Sequence, residues 1–279
     1  MADISIQDLM EAGTHFGHQS KRWDPRMKKY IFGTKNGINI IDLNQTVKLL
    51  QTALGFVREL GEKGGTLLFV GTKNQAKKII AEEAKRCGMP YMTERWLGGT
   101  LTNFDTVKKS VARLAELDTM AEDGTFEVLF KKEVVKLEKE RTKLERNLGG
   151  IKNMGSLPSV IFFVDTIKEK IGLLEAIKLN IPVIAIVDTN CNPEGIGYVI
   201  PGNDDALKSI KLITGAVVDE LLAGREEFKL KQQALAEEAA RAQEAERAEK
   251  KAKKDTPPEA AKEPAPGQAP KESKNTKKD

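Results

Sequence analysis

Three continuous apolar segments constrain the fold of this chain more than any other feature of its sequence. They are TLLFVGTK at 66–73, SVIFFVDT at 159–166 and IPVIAIVDT at 181–189. Strands with one solvated face alternate apolar and polar residues, whereas continuous apolar runs are typical of strands covered on both faces. Helical sequences follow the three runs, at 74–86, 167–179 and 204–223, and shorter strands are expected near 90–92 and 198–200. This alternation predicts an α/β fold with a doubly wound parallel sheet.

Two local signals precede the predicted sheet. Residues 5–12 predict a short helix with Ser5 as its N-cap. Residues 30–42 predict a β-hairpin because alternating apolar positions flank Asn36-Gly37, a pair that tolerates positive φ at both central positions of a turn.

The segment 94–157 is far longer than the dozen or so residues that a parallel crossover needs. It contains two apolar stripes at helical spacing, separated by a turn at Asp123-Gly124. The first stripe is Val107, Val111, Leu114 and Leu117, and the second is Phe130, Val134, Leu137, Leu144 and Leu148, with Arg141 at its one polar position. We therefore predict an antiparallel coiled-coil helical hairpin that projects from the sheet towards a partner. The alternative is a helical cap folded back on the domain.

The composition changes after Phe228. Residues 229–254 are almost wholly Ala, Glu, Lys, Arg and Gln, which predicts a solvated helix, and the Pro-, Ala-, Lys- and Glu-rich residues 255–279 are expected to be disordered. We predict an α/β globular domain from residues 1–103 and 151–228. The coiled-coil hairpin is inserted at 104–150, and 229–279 form a helical and then disordered tail.

One segment near the N-terminus concentrates positive charge. The net charge of the 279 residues is only +4, so any contact with nucleic acid must be local. Asp24 is the one acid between His15 and Asp42, and aromatic side chains are interleaved with the cations. The cations are Lys21, Arg22, Arg26, Lys28, Lys29 and Lys35, and the aromatic residues are Trp23, Tyr30 and Phe32. This pattern suits a polyanion with stackable bases, which makes RNA the first hypothesis. The alternative is an ordinary basic surface hairpin.

A second candidate RNA-binding patch lies near the start of the predicted insertion. Arg95 and Trp96 precede two glycines, and Lys108 and Lys109 follow at the base of the predicted hairpin. Trp96 either stacks on a base or belongs to the core. Lys73, at the start of a predicted helix, either holds a phosphate or is solvated.

The sequence offers little to support an enzyme. GTKN after the first long strand lacks the glycine spacing of a phosphate-binding loop, and no Walker pattern, serine elbow or Cys–His pairing is present. Thr166 and Glu169 are interpreted as a capping box. We expect no catalysis, and the alternative function is a nucleotide- or metal-dependent enzyme on the same fold. A third hypothesis is a protein-interaction scaffold that works through the coiled coil and the tail.

Four side chains form a candidate metal site. His18, Asp188, Asp204 and Asp205 converge if the N-terminal loop folds over the carboxyl ends of the strands, and this set could bind Zn²⁺ or Mg²⁺. The favoured interpretation is that the aspartates cap helices and that His18 hydrogen-bonds a backbone carbonyl. We accordingly expect no required cofactor.

The two cysteines, Cys87 and Cys191, show no spacing that pairs them, and the N-terminus does not resemble a secretory signal. The longest apolar runs, at 160–164 and 181–187, are too short to cross a bilayer. We expect a reduced, cytoplasmic, soluble protein.

Several motifs resemble the bacterial small-subunit (30S) ribosomal protein S-two family. They are LMEAGTHFGHQ (9–19), RWDPRMKKYIFGTKNGINIIDL (22–43), FVGTKNQA (69–76), RWLGGTLTNF (95–104), PSVIFFVD (158–165), PVIAIVDTNCNP (182–193) and YVIPGNDDA (198–206). The resemblance covers about residues 4–228. Asn39 stands where the family usually has His, and Asp24 where Asn is common.

This resemblance implies a flavodoxin-like domain with an inserted coiled-coil hairpin and a structural, non-enzymatic role. It implies binding to 16S rRNA near the junction of the head and body of the small subunit. It also implies contact with neighbouring small-subunit proteins, including docking of the large messenger-binding ribosomal protein S-one. We expect neither a membrane nor DNA as a partner.

Overall fold

The computed structural model describes residues 4–254, with their side chains except those of Glu127 and 236–254. Two compact units divide the chain, Met1–Lys231 and Gln232–Asp279. The elements in chain order are α1 (Ile6–Glu11), β1 (Phe16–Gln19), β2 (Ile31–Lys35), β3 (Ile38–Ile41), α2 (Leu43–Glu62), β4 (Leu67–Val70), α3 (Asn74–Cys87), β5 (Tyr91–Met92), α4 (Phe104–Glu122), α5 (Thr125–Val128), α6 (Lys131–Leu148), β6 (Val160–Val164), α7 (Lys170–Lys178), β7 (Val183–Val187), β8 (Tyr198–Pro201) and α8 (Leu207–Lys254).

A five-stranded parallel sheet, in the order β5-β4-β6-β7-β8, forms the centre of the first unit. The three continuous apolar runs supply its three central strands, β4, β6 and β7. The two short strands expected near 90–92 and 198–200 are its edges, β5 and β8. Counted along the chain, the order is 2-1-3-4-5, which is that of flavodoxin-like doubly wound sheets. The doubly wound α/β prediction is confirmed.

Helices cover both faces of this sheet, which explains why its strands are apolar throughout. On β6, Phe162 packs into a core that includes side chains from α2, α3 and α8, whereas Phe163 packs into a second core that includes α7 and Trp96. Both rings are fully buried. Successive side chains of a strand point to opposite faces, so a strand that fills two cores has no polar position.

The N-terminal region forms a second, three-stranded antiparallel sheet in the order β1-β3-β2. Ser5 caps α1 in a capping box with Asp8, as predicted. The β2–β3 hairpin turns at Asn36 and Gly37, whose φ angles are 52° and 75°, and this confirms the predicted turn. Strand β1 was not predicted, because its four residues FGHQ carry no alternating β-branched pattern.

Helices α4 and α6 contact each other. Arg113 pairs with Glu140 (Nε to Oε1, 3.3 Å), and Arg141 pairs with Asp118 (Nε to Oδ1, 2.6 Å). Leu114 and Leu117 of α4 are buried, and so is Leu148, the last residue of α6. Phe130, predicted to belong to the second stripe, is 81% exposed before α6 begins. The coiled-coil packing and the treatment of 104–150 as an insertion remain predictions.

The C-terminal helix is longer than expected. Helix α8 begins at Leu207 and continues to Lys254, whereas the sequence suggested a helix over 204–223 and another from 229. Gly224 does not end α8. A Cβ there would lie 2.3 Å from the backbone carbonyl oxygen of Arg58, so glycine permits a close crossing of α8 and α2. Residues 255–279, predicted to be disordered, lie outside the described residues.

Both cysteine thiols, of Cys87 and Cys191, are free and buried. Among the residues that the structure describes, no helix combines the length and apolar character needed to span a membrane.

Candidate functional site

The N-terminal segment is attached to the carboxyl end of the parallel sheet through Thr189, the second residue after β7. The backbone N–H groups of His18 and Asp24 donate hydrogen bonds to the hydroxyl and carbonyl oxygens of Thr189, at 2.9 and 2.8 Å. A Cβ at Gly17 would lie 2.6 Å from the Thr189 methyl carbon. Glycine therefore lets the N-terminal backbone approach the strand end directly, as the sequence hypothesis required.

The six predicted cations lie on residues 20–35, which we call the basic segment. It consists of two 3-10 turns, Ser20–Arg22 and Pro25–Tyr30, followed by β2. All six side chains are exposed, and they are Lys21, Arg22, Arg26, Lys28, Lys29 and Lys35. Because the segment is attached to the sheet, these charges are displayed on a folded surface and not on a free arm.

Arg26 differs from the other five cations because its charge is already paired. Its Nη1 lies 2.8 Å from Glu194 Oε2, and its Nε lies 3.9 Å from Asp24 Oδ1. Glu194 belongs to the loop between β7 and β8, and no sequence signal linked it to the basic segment. Arg26 is consequently less available than the other five cations to form an ion pair with a phosphate.

Two of the three aromatic rings in the basic segment are accessible to a base. Phe32 is 79% exposed and Trp23 is 37% exposed, whereas Tyr30 is 8% exposed. The ammonium of Lys29 lies 4.8 Å from the centroid of the Tyr30 ring. Tyr30 is thus a core residue of the segment, and base stacking is restricted to Trp23 and Phe32.

In the second predicted patch, Arg95 is exposed but Trp96 is a core residue. Trp96 is 6% exposed, lies against Phe163 of β6, and donates from Nε1 to Glu175 Oε1 at 3.1 Å. A ring buried in this way presents no free face, so Trp96 is removed from the candidate interface. Lys108 and Lys109 are exposed on α4, as predicted.

The loop after β5 is organised by the buried carboxylate of Glu175 on α7. Besides the Trp96 indole, its oxygens accept hydrogen bonds from the backbone N–H groups of Gly99, Leu101 and Thr102, at 2.8–3.1 Å. Burial raises the pKa of Glu175, but these donors outweigh burial and hold that pKa below its ordinary value. Sequence patterns did not indicate this role.

At the carboxyl ends of the strands, the four predicted metal ligands do come close together. His18 Nδ1 lies 3.0 Å from Asp188 Oδ2, and His18 Nε2 lies 3.3 Å from Asp205 Oδ2. The hydrogen bond to Asp188 raises the pKa of His18 despite partial burial. The imidazole therefore lies between two carboxylates, and the predicted hydrogen bond from His18 to a backbone carbonyl is not found among the described residues.

Lys73 joins the same cluster from the start of α3. Its ammonium lies 2.8 Å from Asp204 Oδ1, 2.5 Å from Asp205 Oδ1 and 3.6 Å from Asp165 Oδ2. Burial opposes the charge of Lys73, but the hydrogen bonds to Asp204 and Asp205 raise its pKa. Lys73 is therefore neither solvated nor free to hold a phosphate, and both sequence interpretations of it are wrong.

Ligand atoms of three of the four residues are arranged closely enough to share a cation. One ligand atom from each of His18, Asp188 and Asp204 lies within 4.8 Å of the other two. Asp204 is fully buried, and its Oδ2 has no hydrogen-bond partner among the described residues. Burial and the charges of Asp188 and Asp165 raise the pKa of Asp204. The cluster is therefore an acidic pocket in which a further cation could be bound.

The helix-capping roles suggested for the aspartates are not found in the described residues. Before α8, the side chain of Asn203 accepts the backbone N–H groups of Asp205 and Ala206. The predicted Thr166–Glu169 capping box is also wrong, because Glu169 instead accepts the backbone N–H of Thr72 at 2.8 Å. These carboxylates therefore contact residues that are distant in the sequence and near the strand ends, instead of capping the helices next to them.

The model of the family described as Ribosomal protein S2 matches residues 9–224. The chain is 55% identical over 239 residues to a small ribosomal subunit protein uS2 from Geotalea uraniireducens (strain Rf4). That alignment covers 86% of this chain and 93% of the relative.

Proposed function

The chain belongs to the ribosomal protein S2 family, and on that premise we propose that its basic segment binds 16S rRNA within the small ribosomal subunit. Members of this family are structural ribosomal proteins and not enzymes, so the hypothesis of a nucleotide- or metal-dependent enzyme is set aside. A small-subunit protein acts in the cytoplasm, as part of the ribosome.

The main support for the proposal is that one segment, attached to the sheet, exposes both cationic and aromatic side chains. Five exposed cations of the basic segment form no ion pair with a described acid, and Trp23 and Phe32 are exposed beside them. These five are Lys21, Arg22, Lys28, Lys29 and Lys35. Structured RNA is recognised through phosphate and 2′-hydroxyl contacts, and aromatic rings stack on bases that are splayed out. The segment provides both kinds of contact.

Arg95, Lys108 and Lys109 extend this proposed interface, because all three side chains are exposed. Lys108 also lies over the Phe104 ring, 4.9 Å from its centroid, at the first residue of α4. In the family, as the resemblance implies, the RNA contacts lie near the junction of head and body. The α4–α6 pair, proposed to be a coiled-coil hairpin, would then extend the reach of the protein along the subunit.

Sedimentation tests this function. Tagged chain in a cell lysate should migrate with small subunits through a sucrose gradient and remain with them at moderate salt. Chain that stays at the top of the gradient would contradict the proposal. Nuclease treatment of the particles distinguishes a protein-interaction scaffold, because partners held only through RNA are then released, whereas partners of a scaffold stay bound.

The docking of ribosomal protein S-one is the second part of the proposed role, and the family resemblance supports it. Small subunits depleted of this chain should lose S-one at a salt concentration that complete subunits withstand. Adding back the full chain should restore S-one. Equal retention of S-one by depleted and complete subunits would refute this part and leave rRNA binding unaffected.

We also propose that the His18, Asp188 and Asp204 cluster binds Zn²⁺, with Asp205 holding the imidazole. The buried, unpartnered Asp204 Oδ2 supports this, and an imidazole nitrogen favours Zn²⁺ over Mg²⁺, which prefers oxygen ligands. Lys73 already supplies one positive charge to the cluster, so we expect the chain to fold without the metal. Bound Zn²⁺ would fasten the N-terminal segment to the strand ends.

Metal analysis of purified chain tests this second proposal. One equivalent of zinc and a thermal shift on adding ZnCl₂, both lost in His18→Ala and retained in His15→Ala, would support it. The same shift with MgCl₂ would assign the site to Mg²⁺. Absence of zinc together with no shift for either metal would refute a metal site.

A further inference from the structure

Helix α7 presents an uncovered stripe of aliphatic side chains. Four large side chains, 39–56% exposed, form this stripe: Ile167 in the turn before α7, and Ile171, Leu174 and Ile177 on the helix itself. Scattered apolar side chains are common on protein surfaces, but a continuous row along one helix marks a contact site more often than chance exposure does.

The opposite face of α7 is equally apolar and is fully used. Leu173 and Ala176 are buried in the second core, and a Cβ at Gly172 would lie 2.9 Å from the Trp96 ring. A helix that is apolar on all sides is normally buried on all sides. The inner face of α7 is covered by this chain, whereas on its outer face Ile171 and Leu174 are each 56% exposed and Ile177 packs against Gly195 of the loop between β7 and β8.

The exposed and unpaired charges on α7 itself are positive. Lys170 and Lys178 lie at the two ends of α7, both are exposed, and neither pairs with a described acid. The two acids of this region, Glu169 and Glu175, are buried and accept hydrogen bonds from within the chain. The stripe therefore has a cation at each end of the helix, and the exposed carboxylate of Glu194, which precedes Gly195 beside Ile177, is already paired with Arg26.

We propose that this face of α7 binds another protein through an amphipathic segment that presents aliphatic side chains flanked by carboxylates. The aliphatic row provides buried area, and carboxylates opposite Lys170 and Lys178 provide complementary charge. An amphipathic helix that packs its apolar face on such a surface carries its anchors at i, i+3 or i+4 and i+7, and we expect this spacing in the partner segment. The contact is made by side chains of α7 and of the turn before it, not by the cations of the basic segment, and it adds a protein-binding face of stated chemistry to the proposed function.

Three other occupants fit the surface less well. Two copies paired through α7 would bring four ammonium groups together with no acid to balance them. The C-terminal residues 255–279 contain no Leu, Ile, Val, Met or aromatic residue, so they have no side chain to fill the stripe. An RNA strand would satisfy the lysines but would leave the aliphatic side chains without apolar partners.

Site-specific photo-crosslinking of the full chain in cells tests the proposal. A photoreactive phenylalanine derivative at position 174 should cross-link to a protein segment with aliphatic residues at helical spacing and flanking Asp or Glu. The matched control places it at position 78, where Lys78 is 87% exposed on α3, and should not give that product. Cross-linking to RNA, to a second copy of the chain or to nothing would overturn the proposal.

Charge reversal gives a second, independent readout. Lys170→Glu with Lys178→Glu should reduce the cross-linked product by about tenfold or more, because like charges then face each other. Lys78→Glu should leave the yield unchanged. All substituted side chains are exposed, so an unaltered thermal transition confirms folding, and an unaltered yield in the folded double variant would refute the charged contact.

Discussion

The indole Nε1 of Trp96 donates a hydrogen bond to Glu175 Oε1 across 3.1 Å, and both side chains are buried. The same carboxylate accepts backbone N–H groups from Gly99, Leu101 and Thr102. Glu175 thereby connects α7 to the loop that carries Arg95 and leads into α4. The position of the second cationic patch depends on an acid that lies about 80 residues further along the chain.

Glu175→Gln should destabilise the protein by about 1–3 kcal/mol. The amide retains one acceptor oxygen, but its NH₂ group faces backbone donors that then have no acceptor. Urea unfolding monitored by tryptophan fluorescence measures the change. Glu82→Gln, at a side chain 61% exposed on α3, is the matched control and should shift the midpoint little. Equal midpoints for the two variants would contradict the role of Glu175.

The contribution of Glu175 should also depend on pH. Its pKa in the folded state is held below the ordinary value of 4.5, so ionised Glu175 stabilises the fold above that value. The stabilisation is lost as the pH falls through the lower, folded-state pKa. Unfolding curves from about pH 7 to about pH 3 should therefore show the native chain and Glu175→Gln converging on acidification. A constant difference across this range would contradict the shift.

Two glycines of α8 should respond oppositely to the same substitution. Gly224→Ala would place a Cβ 2.3 Å from the Arg58 carbonyl oxygen and should cost about 1–3 kcal/mol. Gly215→Ala meets nothing within 4 Å and should stabilise the helix by about 0.4–1 kcal/mol. Urea midpoints of the two variants measure both effects. A neutral Gly224→Ala would show that α2 and α8 do not cross this closely.

Lys73 should be essential to the carboxylate cluster. Lys73→Met removes the cation that lies among three aspartates, one of them fully buried, and should cost about 3–5 kcal/mol. Lys78→Met removes an exposed lysine from the same helix and should change stability by no more than about 0.5 kcal/mol. Chemical denaturation in buffer with a metal chelator isolates the lysine from any bound ion. A loss as small as that of Lys78→Met would mean that the aspartates are neutral.

The sheet could be predicted because continuous apolar runs determine both its strands and its coverage. Phe162 and Phe163 are consecutive residues of β6 and fill different cores, so no position along this strand tolerates a polar residue. Strand β1 was missed because FGHQ is short and forms a strand only through its pairing with β3. The extent of α8 was missed because the crossing at Gly224 has no local signal, and glycine usually marks a helix end.

The candidate site was predictable where residues follow strands. The carboxyl ends of parallel strands share one edge of the sheet, and this rule predicted that His18 and the three aspartates lie close together. The pairing of Lys73 with Asp204 and of Arg26 with Glu194 joins residues over 130 positions apart, and sequence patterns do not reveal such pairs. The burial of Trp96 likewise depends on Gly172 and Glu175 of a distant helix.

The salt dependence of binding to 16S rRNA tests the central claim most directly. Lys21→Ala with Arg22→Ala should flatten the plot of log affinity against log salt by about 1.4–1.8, since each phosphate contact contributes about 0.7–0.9. Arg26→Ala should change the slope less, because Glu194 already pairs with that charge. Lys63→Ala with Lys78→Ala, which removes two exposed cations elsewhere, should leave the slope unchanged. An unchanged slope for the Lys21 and Arg22 variant, with a flattened slope for the control, would place the RNA on another surface and contradict the account.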